Sequence, residues 1–428
     1  MDKALDHRSK VLDLLRAASA LIVMCGHLRN ALLPDFDQLV APGLALKAFY
    51  LVSGMGHQAV IVFFVLSGYL VGGSVIKAGA GFRWIDYAIT RLSRLWVVLV
   101  PAIAATALLD HLLVQVNPGI FDAAHAAAWH SIPARGDYSS SLATALSNIF
   151  FLQTITAPPY GTNGPLWSLA NEAWYYLLFP CLWSLFGGTL SRRQRALTLL
   201  VFLSAAAVMP TPMLSLFLVW LMGAAIHAIP PKRFFAAGPY AWASFLVLLA
   251  MLLAARTGHL PYKELQLPDQ LLGLALAGWC LHVHATLTSS RRLPFERAIH
   301  AASEMSYSLY LIHMPVVFVL VSLVSPHAKV AADLQGLALF AGLASLVVAL
   351  SWGYWWLFER HTALVRNRLL ARWGSKRRVS LALLQDQPAP RREAADDDQG
   401  QHEAEPVRQH DRGGDVPALL HPQLPERR

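Results

Sequence analysis

The chain has 428 residues, of which 55% are hydrophobic and only 14% are charged, and its formal net charge is +9. Its mean hydropathy of +0.43 is too high for an ordinary water-soluble domain and is typical of a polytopic membrane protein. In a soluble protein the positive charge would suggest nucleic-acid binding. Here the basic residues fall mostly between apolar segments and in the tail, so we expect a lipid bilayer and no nucleic acid as partner.

Apolar stretches of membrane length recur along the chain and predict an all-α, polytopic membrane protein with about ten transmembrane helices. The expected spans are residues 11–33, 57–77, 94–116, 166–187, 195–209, 213–229, 239–256, 270–288, 303–325 and 334–358. The segments that connect these spans alternate between the two sides of the membrane. Lys and Arg are frequent in the segments on one side and rare in those on the other. The positive-inside rule therefore predicts that both termini are cytoplasmic.

The composition changes near residue 375, beyond which Gln, Asp, Glu, Arg and Pro dominate. We expect residues 1–374 to form the transmembrane domain and residues 375–428 to form a disordered polar tail in the cytoplasm. The longest loop on the outer side is 117–165. We expect short re-entrant or interfacial helices in it, with residues 148–156 as the main candidate.

The first span, VLDLLRAASALIVMCGHLRNALL, contains the ionisable residues Arg16 and His27, eleven positions apart. Ionisable side chains at membrane depth are costly, so they persist mainly where they face a polar interior and serve a function there. At about 1.5 Å per residue the two lie roughly 16 Å apart along the helix. This offset suits an enzyme that takes a reactant from one membrane face and uses it towards the other.

Arg91 and Arg94 form an RLSR pair at the start of the third span, at the same membrane level as Arg16. Guanidinium groups suit multidentate phosphate binding, so the three arginines predict a cytosolic, phosphate-bearing cofactor. Two structural alternatives remain open at this point. Arg91 and Arg94 could be positive-inside anchors, and Arg16 could pair with Asp13 three residues earlier.

His27 and Glu172 are expected at one depth, because both fall in the outer third of the membrane when residues are counted along their spans. An imidazole and a carboxylate at one depth predict a general base and its orienting partner. The weaker candidates are Ser67, Trp167, Ser168, Tyr307 and His313. No cluster has the spacing of a metal site, so we expect no metal.

Six motifs occur in order over about residues 10–370: LDLLRAASALIVMCGH, FFVLSGYL, RLSR, GPLWSLANEAWYYLLFP, SYSLYLIHMP and LFER. This pattern resembles the membrane acyltransferase-3 family of integral-membrane O-acyltransferases. By position, Arg16 and His27 match the essential pair of the family's first helix. Arg91 and Arg94 match its RxxR element associated with the acyl donor, and Glu172 matches the glutamate of its W-S-L-x-x-E motif.

The resemblance implies transfer of an acyl group, usually acetyl from acetyl-CoA, at a bacterial inner membrane. In this scheme Arg16, Arg91 and Arg94 hold the phosphates of acetyl-CoA, and the thioester extends towards His27. His27 then either deprotonates the acceptor hydroxyl or takes the acetyl group itself, and both routes stay open. The expected acceptor is a glycan or a lipid-linked saccharide, with Trp129, Tyr160 and Trp167 as candidate sugar-stacking residues.

Two other functions stay open. A transporter of a lipid-linked or anionic solute would also need many spans and intramembrane charge. The inverted internal repeat common in transporters is not visible in the sequence. The third function is a family member that only binds, and the presence of every candidate catalytic residue disfavours it. The sequence does not indicate an oligomeric state.

Overall fold

The computed structural model describes residues 3–122, 129, 132–187, 190–258, 266–286 and 294–373, so the predicted tail lies outside the described residues. Within these ranges every regular element is helical. The helices are α1 Lys3–Leu32, α2 Leu44–Ser53, α3 Gly56–Ser67, α4 Gly73–Ala78, α5 Trp84–Val116, α6 Leu142–Ile149, α7 Leu166–Phe186, α8 Arg192–Val208, α9 Thr211–Ala225, α10 Arg233–Ala236, α11 Gly238–Thr257, α12 Leu267–Ala285, α13 Glu296–Glu304, α14 Ser306–Val324, α15 Leu334–Leu357 and α16 Thr362–Trp373. A π-helical turn spans Gly68–Gly72, and short 3₁₀ turns span Phe36–Gln38, Gly79–Gly81, Ile226–Ala228 and Glu359–His361. The all-α prediction is confirmed for the described residues.

Seven helical runs are long and apolar enough to cross a membrane. They are Lys10–Leu32, Gly56–Gly81, Trp84–Val116, Thr211–Ala228, Gly238–Thr257, Ser306–Val324 and Leu334–Trp373. The other three predicted spans are also helical, as α7, α8 and α12, but α8 has only 17 residues. The remaining two carry acidic residues, Glu172 in α7 and Asp269 in α12, which lower their apolar character. The chain is thus a multi-pass helical protein, and the count of about ten crossings stays a prediction.

Helix α14 lies at the centre of the bundle and brings the site together. It packs against α1 on one side and α5 on another, while α3 also packs against α1. Most α14 side chains are buried, and His313 has no exposed surface. The two histidines predicted at membrane depth, His27 on α1 and His313 on α14, therefore lie on neighbouring helices.

Helices α3 and α9 cross in backbone contact because glycine occupies both sides of the crossing. A Cβ atom on Gly68 would lie 1.9 Å from the carbonyl oxygen of Trp220, and one on Gly223 would lie 2.0 Å from that of Val65. Small residues commonly allow such close approach between membrane helices. The indole nitrogen of Trp220 donates to Ser67 Oγ at 3.1 Å, so the crossing also fixes the Ser67 hydroxyl.

The described part of the loop 117–165 contains one helix of eight residues, Leu142–Ile149, rather than a helix over residues 148–156. Beyond it, buried hydrogen bonds hold an irregular segment against the bundle. Asp110 accepts from the backbone nitrogen of Thr162 at 2.9 Å and from its hydroxyl at 2.5 Å. Asn163 donates to the carbonyl oxygen of Leu311 at 2.7 Å. These bonds satisfy backbone and side-chain groups without a helix, which is why apolar patterning alone misplaces the element.

Candidate active site

Two cavities lie inside the bundle and divide the predicted site residues between them. The larger, of about 620 Å³, is lined by Arg16, Arg91 and Arg94 and is called the arginine cavity here. The smaller, of about 360 Å³, is lined by His27 and is called the histidine cavity. Val60 and Tyr310 line both cavities, so these side chains form the boundary between them.

His27 is hydrogen-bonded to His313, and the pair has a defined proton arrangement. Nδ1 of His27 lies 2.8 Å from Nε2 of His313, and the two rings are nearly coplanar, with an angle of 4°. Nδ1 of His313 lies 3.0 Å from the carbonyl oxygen of Leu309 and 2.9 Å from that of Tyr310. Carbonyl oxygens only accept, so Nδ1 of His313 carries its proton and Nε2 accepts from Nδ1–H of His27. This tautomer leaves Nε2 of His27 unprotonated, as a base or nucleophile requires.

Glu172 does not orient His27, and this prediction is wrong. The Glu172 carboxylate accepts hydrogen bonds from Ser67 Oγ at 2.8 Å and from the hydroxyl of Tyr176. It lines the arginine cavity, whereas His27 lines the histidine cavity. Counting residues along a helix gives the depth of a side chain but not the direction in which it points. The residue that contacts the His27 imidazole is His313.

Arg94 is already paired with a carboxylate. Its Nη1 lies 2.6 Å from Oε1 of Glu359. The other carboxylate oxygen of Glu359 accepts from the backbone nitrogen of Ser308 at 3.0 Å and from its hydroxyl at 2.6 Å. The sequence motifs include Glu359, but nothing in them assigns it a role. The sequence signal that could have identified Glu359 is its position directly after the last apolar span, because a carboxylate buried there needs a cationic partner.

Arg16 and Arg91 remain available to an anionic ligand. Asp13 does not form the local pair with Arg16. It accepts from Ser303 Oγ at 2.9 Å and lies 3.0 Å from Nδ1 of His300. Arg91 donates to Ser74 Oγ at 3.2 Å, and its buried Nε has no hydrogen-bond partner among the described residues.

Most of the weaker candidates lie around the arginine cavity. Ser67, Ser168 and Tyr307 line it. The hydroxyl of Ser168 lies 2.7 Å from that of Tyr310, and Tyr307 donates to the carbonyl oxygen of Leu95 at 3.3 Å. Arg366 of α16, which the sequence does not single out, lines the same cavity. In the part of the chain that the structure describes, no group of three or more His, Cys, Asp or Glu could hold a metal ion.

Only one of the three aromatic residues predicted to stack on a sugar is placed to do so. Trp167 lines the histidine cavity. Trp129 is 2% exposed, and its ring packs 6.0 Å from that of Phe318. Tyr160 is 5% exposed and donates to the carbonyl oxygen of Ser140 at 3.2 Å. The prediction is wrong for Trp129 and Tyr160, because both side chains are buried in the protein interior and are not available to stack on a sugar.

Comparison with known proteins identifies the family of the chain. The acyltransferase 3 family model, described as an acyltransferase domain, matches residues 10–356. Neither the curated proteins nor the solved structures include one that matches the chain significantly. The family match covers most of the 428 residues and contains Arg16, His27, Arg91, Arg94, Glu172 and His313. The chain therefore belongs to the acyltransferase 3 family of membrane acyltransferases.

Proposed function

We propose that this protein transfers an acetyl group from cytosolic acetyl-CoA to a hydroxyl of a cell-surface or exported glycan or glycolipid. One observation carries the proposal. An imidazole with an unprotonated nitrogen lies in one cavity, and a cavity lined by arginines adjoins it across Val60 and Tyr310. The first arrangement suits a base or nucleophile, and the second suits the phosphates of the donor.

Acetyl-CoA binds in the arginine cavity in this proposal. Arg16 and Arg91 contact its phosphates, and Arg366 adds a third charge from α16. Arg94 contributes less than the sequence predicts, because Glu359 already neutralises it. The acetyl thioester then reaches the boundary at Val60 and Tyr310.

His27 performs the transfer by one of two balanced routes. In the direct route, Nε2 removes the proton of the acceptor hydroxyl, the hydroxyl oxygen attacks the thioester carbonyl, and the carbon–sulfur bond breaks to release CoA thiolate. In the two-step route, Nε2 attacks the thioester carbonyl and the carbon–sulfur bond breaks to release CoA thiolate. The acceptor hydroxyl then attacks the acetyl carbon, the bond from that carbon to Nε2 breaks, and the proton of the hydroxyl passes to the thiolate. Both routes place positive charge on His27, which its hydrogen bond to His313 stabilises.

The membrane arrangement is part of the proposal. We infer about ten crossings, with both termini on the cytoplasmic side of a bacterial inner membrane. The arginine cavity then opens towards the cytoplasm, and the acceptor reaches the histidine cavity from the opposite side. Nothing in the described residues favours the transporter alternative over an acyltransferase.

The test is acetyl transfer from radiolabelled acetyl-CoA in membranes that contain wild type, His27→Ala or Arg16→Ala, with total cell glycan as acceptor. Loss of the base should lower the labelling rate about 10²-fold or more in His27→Ala. Arg16→Ala should mainly raise KM for acetyl-CoA. Lys47→Gln, which changes an exposed residue of α2 outside both cavities, is the control and should label as wild type does. Labelling by His27→Ala at the wild-type rate, at equal expression, would refute the proposal.

A further inference from the structure

Arg29 gives the histidine cavity a positive charge, and no carboxylate lines the cavity. Arg29 and His57 line it together with His27, and no Asp or Glu is among its lining residues. Two acidic side chains that interact with Arg29 or His57 already have cationic partners. Asp269 lies 2.8 Å from Nε2 of His57, and Asp35 lies 3.2 Å from Nζ of Lys329.

Arg29 is held in place entirely by neutral groups. Its Nη1 donates to the carbonyl oxygen of Tyr50 at 3.1 Å and to Ser53 Oγ at 3.3 Å, and Nη2 donates to Asn30 Oδ1. The guanidinium also lies 5.0 Å from the centre of the Tyr50 ring. These contacts fix the geometry of the guanidinium, and none of them is an ion pair with a carboxylate.

A second guanidinium, that of Arg256, lies behind the cavity wall at Gly54. A Cβ atom on Gly54 would lie 2.3 Å from Nη2 and 2.5 Å from Nε of Arg256, so the guanidinium packs directly against the Gly54 backbone and would have to shift for any larger residue. Gly54 itself lines the histidine cavity. The Nε atom of Arg256 is buried and has no hydrogen-bond partner among the described residues. A buried donor without a partner is costly, and the repulsion between the guanidinium groups of Arg29 and Arg256 adds to that cost.

We propose that the acceptor hydroxyl acetylated at His27 belongs to a molecule that carries a negative charge, a carboxylate or a phosphate, and that Arg29 and Arg256 bind this charge. The inference rests on the proposed function and deepens it by naming the acceptor class. An anion at this position supplies the counter-charge that the cavity lacks. Because Arg29 and His27 line one cavity, binding the anion also brings the acceptor to the catalytic imidazole.

The first measurement is the charge of the labelled product. Glycan labelled from radioactive acetyl-CoA by wild-type membranes is applied to an anion-exchange resin at low salt. We expect the label to be retained and to elute with salt. The uronic acid and phosphorus contents of the retained fraction then distinguish a carboxylate from a phosphate. Label that passes through unretained would overturn this inference alone, whereas no label in any fraction would refute the proposed function as well.

The second measurement assigns the charge to the arginines. Arg256→Gln should lower the transfer rate at subsaturating acceptor by about 10-fold, the loss expected for one charged hydrogen bond. The KM for acetyl-CoA should stay at the wild-type value. Arg256→Lys keeps the charge and should recover part of the rate, which a merely misfolded variant would not show. Lys47→Gln removes another basic side chain from the chain and is the matched control. Transfer by Arg256→Gln at the wild-type rate would contradict the assignment.

Discussion

At the scale of single residues, the hydrogen bond between His27 and His313 defines the chemistry of the site. The 2.8 Å contact fixes the tautomer of His27, and two backbone carbonyl oxygens fix that of His313 in turn. His313 does not line the histidine cavity, so in the proposed reaction it acts through His27 as a positioning residue. In that reaction, His313 orients the His27 imidazole and fixes which of its nitrogens carries the proton.

Replacing His313 should therefore lower kcat without weakening donor binding. His313→Phe removes the acceptor for Nδ1–H of His27, and we expect a roughly 10²-fold lower kcat with an unchanged KM for acetyl-CoA. His313→Gln offers an amide oxygen in its place and should recover part of the rate. The measurement is the initial rate of acetyl transfer over a range of acetyl-CoA concentrations.

Glu172→Gln provides the comparison for this prediction. The Glu172 side chain lines the arginine cavity, so its loss should act mainly on the KM for acetyl-CoA. A His313→Phe variant with wild-type kcat, or a Glu172→Gln variant with the kcat defect expected of His313→Phe, would show that the structure assigns the two roles wrongly.

At the scale of helices, the boundary between the cavities is the functional element. Val60 on α3 is 5% exposed and lines both cavities, opposite Tyr310 on α14. In the proposed reaction, the thioester has to reach His27 across this boundary. The bulk of the side chain at position 60 should therefore control the transfer step separately from donor binding.

Val60→Phe should block the passage between the cavities. We expect transfer to fall at least ~10-fold while acetyl-CoA binding, measured with radiolabelled donor, changes little. Larger side chains in a packed interior typically cost about 1–3 kcal/mol, so thermal stability in detergent is measured in parallel. Val62→Phe, two residues away and lining neither cavity, is the control. Transfer by Val60→Phe at the wild-type rate would show that the side chain at position 60 does not limit passage between the cavities.

The sequence predicts the helices better than it predicts the contacts between them. The length of an apolar stretch and the cost of burying an ionisable side chain are local properties of the sequence. They are enough to identify the first span and to single out Arg16 and His27 within it. The partners of these residues depend on how helices rotate and pack, which single-span patterns do not encode. This is why Glu172 is predicted beside His27 but lies with Ser67 and Tyr176. It is also why the Arg94–Glu359 pair, which joins distant segments, is visible only in the structure.

At the scale of the whole molecule, the proposed function places the donor in the arginine cavity and the acceptor in the histidine cavity. Seven helices satisfy the length and apolarity of a membrane span, and the site lies among the most buried of them. Helices α7 and α12 contribute Glu172 and Asp269 to the site region, and these acidic residues lower the apolar character of the two helices. Such exceptions to the hydropathy pattern are expected where membrane helices carry function.

The most direct test of this account is the sidedness of acetyl transfer in sealed membrane vesicles. Acetyl-CoA is highly charged and does not cross the bilayer, so inside-out and right-side-out vesicles present it to opposite faces. We predict labelling of glycan only when radiolabelled acetyl-CoA contacts the cytoplasmic face, and only with an intact His27. Equal labelling from the other face, or labelling by His27→Ala at the wild-type rate, would contradict the account.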